Sequence, residues 1–282
     1  MLGSGPVNAV SPLVSQALGA DQNDRKDARR SVRMALWVIF MMTPIIVLLL
    51  TFTEPLAVKM GQEPVIAKKA GAYVIALGPG LAFALATMAL RNFLAALGKT
   101  KIPFILVMMV TAVNALLNYI FIFGHFGAPR LELVGAGIAS SLSYIFGFFL
   151  FVLYIRLDSH AHSFQVFSKF WRPDWERFKD VIKLGFPISM TTMFEGMLFN
   201  AVVFIVGVIG VMEQAAYQIA LNVAALAFML PWGMSMAGAV RIGLAKGAGN
   251  KAATRRAAST TLIASVLAIM MIAIPVALYP EF

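Results

Sequence analysis

The stretch VIKLGFPISMTTMFEGMLFNAVVFIVGVI, Val181–Ile209, holds 29 residues, of which only Lys183 and Glu195 are charged. At about 1.5 Å per residue a helix of this length exceeds the roughly 30 Å of a hydrocarbon core, so it reads as a membrane span. Working outward, six further full spans follow the same pattern: Met34–Phe52, Gly71–Phe93, Ile102–Gly124, Val134–Ile155, Ala215–Val240 and Ser259–Tyr279. An incomplete span, Leu2–Gly19, precedes them. Proline lies in or near several of these runs, and Gly78-Pro79-Gly80 is the expected break in one of them, because proline removes a backbone donor. Across the whole chain 60% of residues are hydrophobic and 13% charged. A soluble domain carries about a quarter of its residues as charges, so the bilayer is the partner this composition requires.

Loop charge sets the orientation. Nineteen of the 23 Lys and Arg residues fall in alternate loops on one side, and four (Lys59, Lys68, Lys69 and Arg130) on the other. The basic side is therefore read as cytoplasmic. This distribution also accounts for the net charge of +10 without a nucleic-acid partner. There is no cysteine, hence no thiolate metal site or redox pair, and three scattered histidines make no metal cage. Gly98-Lys99-Thr100 mimics the end of a phosphate loop, but Phe93 stands where the leading glycine is needed. No catalytic constellation appears, and no enzyme is expected.

Two loops on the basic side resemble each other. Leu18-Gly19-Ala20 precedes Arg29-Arg30 and a span; Lys246-Gly247-Ala248 precedes Arg255-Arg256 and a span six crossings later. Two copies on the same side imply six-helix halves related by an axis along the membrane normal, an arrangement of secondary transporters. Such a repeat predicts twelve helices, of which fewer than eight are present, so the sequence reads as incomplete at both ends.

Of 13 acidic residues, Glu195 alone lies deep within a span. A carboxylate there costs several kcal/mol, and such residues mark ion or substrate pathways. Asn114 and Asn118, four apart, share a helix face and offer amide oxygens to a cation; gluing two helices together is the other reading. Ser140 follows Gly135 and Gly137 in a close-packing pattern, with Ser141 and Ser143 nearby. Tyr217, Gln218 and Asn222 open the next-to-last span with polar groups at helical spacing. Seventeen Met and 22 Phe residues supply material for an adaptable apolar lining.

With these residues laid out, the chain resembles the multidrug and toxic compound extrusion (MATE) family. The likeness is carried by Pro12–Ala20, by Asn114 to Phe121, by Leu184-Gly185-Phe186-Pro187-Ile188 leading to Phe194-Glu195, and by Ala216–Asn222 continuing to Arg241-Ile242-Gly243. The resemblance implies an all-α polytopic protein of the two-lobed, twelve-helix antiporter fold, covering family helices two (in part) to nine. Residues 1–155 would form the N-terminal lobe, 156–180 a cytoplasmic linker and 181–282 the start of the C-terminal lobe. It implies cation coupling at Glu195, with Asn114, Asn118 and Ser140 near a second cation position, H⁺ or Na⁺ as the coupling ion, and no cofactor. It further implies export of organic, mostly cationic or amphipathic compounds across the bacterial inner membrane by a monomer. The acids expected in helices one and ten fall outside this sequence. An exporter of lipid-linked or polysaccharide cargo, a signalling receptor and an inactive remnant are the competing readings.

Overall fold

The computed structural model describes residues 3–21 and 25–278. Ten helices occur in chain order: α1 Ser4–Ala20, α2 Arg25–Leu50, α3 Thr53–Lys59, α4 Pro64–Ala96, α5 Lys101–Phe123, α6 Glu132–Leu157, α7 Ser159–His162, α8 Trp175–Ile209, α9 Val211–Gly247 and α10 Lys251–Leu278. Among the described residues seven of them are long and apolar enough to cross a membrane, namely α2, α4, α5, α6, α8, α9 and α10. Each matches a span expected from the sequence, extended by up to nine residues at one end, while α2 and α5 stop two and one residues short of the expected C-terminal end. Of the expected termini, Leu2 and Tyr279 lie outside the described residues, as do Glu281 and Phe282.

Local chemistry explains the boundaries. Pro64 sits in the first turn of α4, where its missing N–H costs nothing. Gly124 ends α5 in the left-handed region at φ 78° and donates to the Ile120 carbonyl. Asp158 and Asp174 cap α7 and α8, accepting from the Ala161 and Arg177 amides. α8 thus begins six residues before the span read from hydropathy, inside the segment expected as linker, because its first turns are polar.

The break expected at Gly78-Pro79-Gly80 is absent: α4 runs through it. The Ser141 hydroxyl donates to the Ala76 carbonyl at 2.7 Å, next to the Ile75 carbonyl that Pro79 deprives of its intrahelical donor. The two glycines serve contact instead, since a methyl added to Gly80 would overlap the Ser141 backbone.

Residues of the first half pack α4 against α6, α6 against α5, and α2 against α4. Val7, Val10 and Val14 of α1 are buried against Val32, Leu36 and Ile39 of α2 and Leu90 and Phe93 of α4, the i, i+3, i+7 spacing of one helix face. Outward faces remain apolar, as Phe104 and Met108 of α5 illustrate; in a bilayer these meet lipid.

α1 is the hub. It contacts α2 and α4 of its own half and α8 and α9 of the other. Where it crosses α9, a methyl added to Gly19 would strike the Leu244 carbonyl, and one added to Gly247 would strike the Gln16 carbonyl. Gly19 and Gly247 are 228 positions apart, and so are Gln16 and Leu244; each contact is the image of the other. Ser15 faces Gly243, again 228 positions away. A residue touching its own counterpart lies on the symmetry axis, so the sequence repeat is a two-fold running through this crossing. Small residues at every fourth position, Ser11, Ser15 and Gly19 on α1 and Ala239, Gly243 and Gly247 on α9, let the backbones approach.

Candidate cation and substrate pathway

The halves meet at their basic ends. Further along α1, the Gly5 amide donates to the Ser189 hydroxyl of α8 at 3.1 Å, and Gly5 and Gly185 pack without room for a side chain. At the basic end an ion-pair network ties α2 to α8. Arg30 bonds Asp174 through both Nε and Nη2, the latter at 3.1 Å, and Asp27 at 3.0 Å. Arg177 bonds Asp27 and reaches Asp180 at 3.4 Å. The Arg30 guanidinium holds the Asp174 carboxyl below the usual carboxylate range. A sequence reading treats these arginines only as topology determinants. The local signals are the i, i+3 spacings of Asp27 with Arg30 and of Arg177 with Asp180; pairing across some 150 positions has none.

The segment joining the halves is strapped to the first. Trp37 Nε1 donates to the Phe170 carbonyl at 3.0 Å and Arg33 to the Lys169 carbonyl at 3.0 Å. Phe164 and Val166 are buried in the first half's core. Lys99 pairs with Asp158, which also accepts from Tyr154 and the Ala161 amide. That pair lowers the Asp158 carboxyl and raises the Lys99 amine from their ordinary values; Lys99 is a structural anchor.

Within the first half, Asn118 Nδ2 donates to Asn114 Oδ1 at 3.0 Å, and Asn114 Nδ2 donates to Ser143 Oγ at 3.2 Å. Ser143, buried on α6, donates its own hydroxyl hydrogen bond to the Ala139 carbonyl at 2.7 Å. The structure therefore brings the two expected asparagines together. Their hydroxyl partner is Ser143; no hydrogen bond joins the half-buried Ser140 to either asparagine among the described residues. Three residues along a helix rotate a side chain by about 300°, which spacing alone does not arbitrate among three serines.

Glu195 lies on α8 ten residues beyond Gly185 and is exposed, with no hydrogen bond or ion pair among the described residues. It is nine residues, about two and a half turns, from Phe186, and so occupies the opposite helix face. Phe186 belongs to an apolar cleft of about 240 Å³ between α1, α2 and α8, with Met41, Met42, Ile182 and Met190. A second space, about 150 Å³, lies between α1 and α9 beside Asn8, Trp232 and Met236. Tyr217 is half-buried and Gln218 and Asn222 are exposed; none of the three lines either space or bonds to Glu195. No cluster of metal-ligating side chains occurs among the described residues.

Comparison with known proteins places this architecture. The MatE family model matches residues 1–120 and 187–282. The probable multidrug resistance protein NorM of Rhizobium meliloti (strain 1021) is 41% identical over 270 residues, which cover 94% of this chain and 56% of that protein. The multidrug resistance protein MdtK of Yersinia pseudotuberculosis serotype O:1b (strain IP 31758) is 33% identical over 278 residues, 96% of this chain and 60% of the relative. The crystal structure of the eukaryotic MATE transporter AtDTX14 superposes with a TM-score of 0.80 at 21% identity, covering 93% of this chain and 57% of that one. The chain thus spans less than two thirds of the length of these proteins.

Proposed function

Because this chain belongs to the MatE family and has the MATE fold of a multi-pass inner-membrane transporter, we propose that it acts in cation-coupled export of organic cations and amphipathic drugs by alternating access. The observation that carries this reading is Glu195. It is a carboxylate in the middle of an otherwise apolar stretch of α8, exposed and with no hydrogen bond or ion pair among the described residues. Such a group takes up a proton or Na⁺ when the surroundings offer one, and loses it when they do not. A ligand shifts a conformational equilibrium only by its differential affinity for the two states. Cation binding at Glu195 supplies that difference between a state closed at the basic side and one opened there.

The Asn118–Asn114–Ser143 chain offers a separate polar site in the first half, and the Met-lined spaces beside α1 suit varied apolar cargo. The names of the NorM and MdtK relatives favour drugs over lipid-linked or polysaccharide cargo. The test is efflux of a fluorescent organic cation from cells expressing the chain, under an imposed proton or Na⁺ gradient. Glu195→Gln is expected to abolish gradient-driven efflux while the protein still inserts. Undiminished efflux in that variant overturns the coupling role.

A further inference from the structure

α2 brings Arg29, Arg30 and Arg33 to the basic side within little more than one turn, and the strapped segment brings Arg172. The acids nearby are committed elsewhere. Asp174 binds Arg30, Asp27 binds Arg30 and Arg177, Asp180 binds Arg177, and Glu176 stands 3.7 Å from Arg30. Among the described residues no ion pair reaches Arg29, Arg33 or Arg172. Geometry brings these three to one corner: Arg29 lies one turn before Arg33 on α2, and Arg33 bonds the Lys169 carbonyl, three residues before Arg172.

Burial sharpens the imbalance. Arg33 is 6% exposed and gives one N–H to the Lys169 carbonyl, but its Nε is buried without an acceptor, and so is the Nε of Arg29. An unsatisfied buried donor is destabilising, and more so when it carries charge. Topology alone asks only for positive charge on this side, and Lys251, Arg255 and Arg256 provide it from exposed positions. It does not ask for guanidiniums to share a half-desolvated corner without an anion. Beside them Trp171 is 83% and Trp175 57% exposed, rings of the kind that settle at headgroup level.

We propose that Arg29, Arg33 and Arg172 form a binding site for a phosphate group, carried by an anionic phospholipid of the adjoining leaflet or by a soluble phosphate. Guanidinium forks match phosphate oxygens two at a time, and basic pockets at the cytoplasmic ends of membrane helices bind lipid headgroups in this way. Asp174 does not oppose the ligand, because Arg30 neutralises it.

The test uses the purified chain in detergent. Native mass spectrometry compares retention of phosphatidylglycerol with phosphatidylcholine, and thermal unfolding compares inorganic phosphate with chloride at equal ionic strength. Two doubles are made: Arg29→Gln with Arg172→Gln, and Arg255→Gln with Arg256→Gln. Arg33 is left intact because it holds the strap. Phosphatidylglycerol is expected to be retained about fivefold or more over phosphatidylcholine, with the preference lost in the first double and kept in the second. Stabilisation by inorganic phosphate that vanishes only in the first double, without lipid preference, assigns the same site to a soluble phosphate. Equal losses in both doubles, or no preference for either phosphate source in the parent chain, overturn the proposal. A first double whose melting point without ligand falls by more than a few degrees is replaced by Arg172→Gln alone, held to the same two criteria.

Discussion

Ser15 of α1 and Gly243 of α9 face each other across the axis that relates the two halves. Cβ built on Gly243 stands 2.7 Å from Ser15 Cβ and 3.1 Å from the Pro12 carbonyl, so the crossing has no slack for a larger side chain. Gly243→Val is therefore expected to lower the melting temperature of the purified chain by several degrees, in keeping with the roughly 1–3 kcal/mol of overpacking. Gly233, around which nothing lies within 4 Å, is the control. Gly233→Ala should leave melting within a degree or raise it.

The ion network predicts acid sensitivity with a definite sign. Asp174 has a carboxyl lowered in the folded chain by Arg30, so its contribution is present above the unfolded value near 3.9 and is lost as pH falls through the lower folded value. Stability measured between pH 5 and pH 3 should fall less steeply in Asp174→Asn than in the parent. At neutral pH that variant should be less stable by about 1 kcal/mol, a partly exposed pair being worth little more. Identical acid profiles would refute the assignment.

Trp37→Phe removes the N–H that holds the Phe170 carbonyl while keeping an aromatic ring. The loss of one hydrogen bond, about 1 kcal/mol, loosens the strap without unfolding the helices. Limited trypsinolysis reads this directly, because the Lys169–Phe170 bond adjoins the anchored carbonyl. Cleavage there is expected to quicken about fivefold, in proportion to the opened population.

Asn114→Ala separates two roles. A helix-to-helix hydrogen bond in a membrane contributes only about 0.6–2 kcal/mol, so a purely structural asparagine should cost a small drop in melting temperature and leave efflux intact. A cation-holding asparagine should lose most gradient-driven efflux at the same small structural cost. Ser143→Ala is expected to follow Asn114→Ala in this assay, and Ser140→Ala to behave as the parent.

Much of this architecture was legible in the chain. Seven spans and the two-fold followed from apolar length and the pair Gly19 and Gly247, because bilayer thickness and close backbone packing act on composition directly. What escaped depended on partners distant in sequence. α3 and α7 are too short and polar for a hydropathy reading. The continuity of α4 through Pro79, beside which Ser141 of another helix packs and bonds the Ala76 carbonyl, has no local signal, and the pairing of Asn114 with Ser143 is a matter of helix rotation. Neither the Arg30–Asp174 pair nor the orphaned donors of Arg29 and Arg33 leave a local mark.

The strap also decides where the molecule can bend. With Phe164 and Val166 sunk in the first half and the Lys169 and Phe170 carbonyls tied down by Arg33 and Trp37, nearly all of the connecting segment travels with that half. What remains between it and the cap of α8 is the short run from Trp171 to Pro173. The second half is therefore hung on a hinge a few residues long rather than on a slack tether. Any rocking of the two halves pivots beside the Arg30–Asp174 pair, which makes that pair a latch set at the hinge pin.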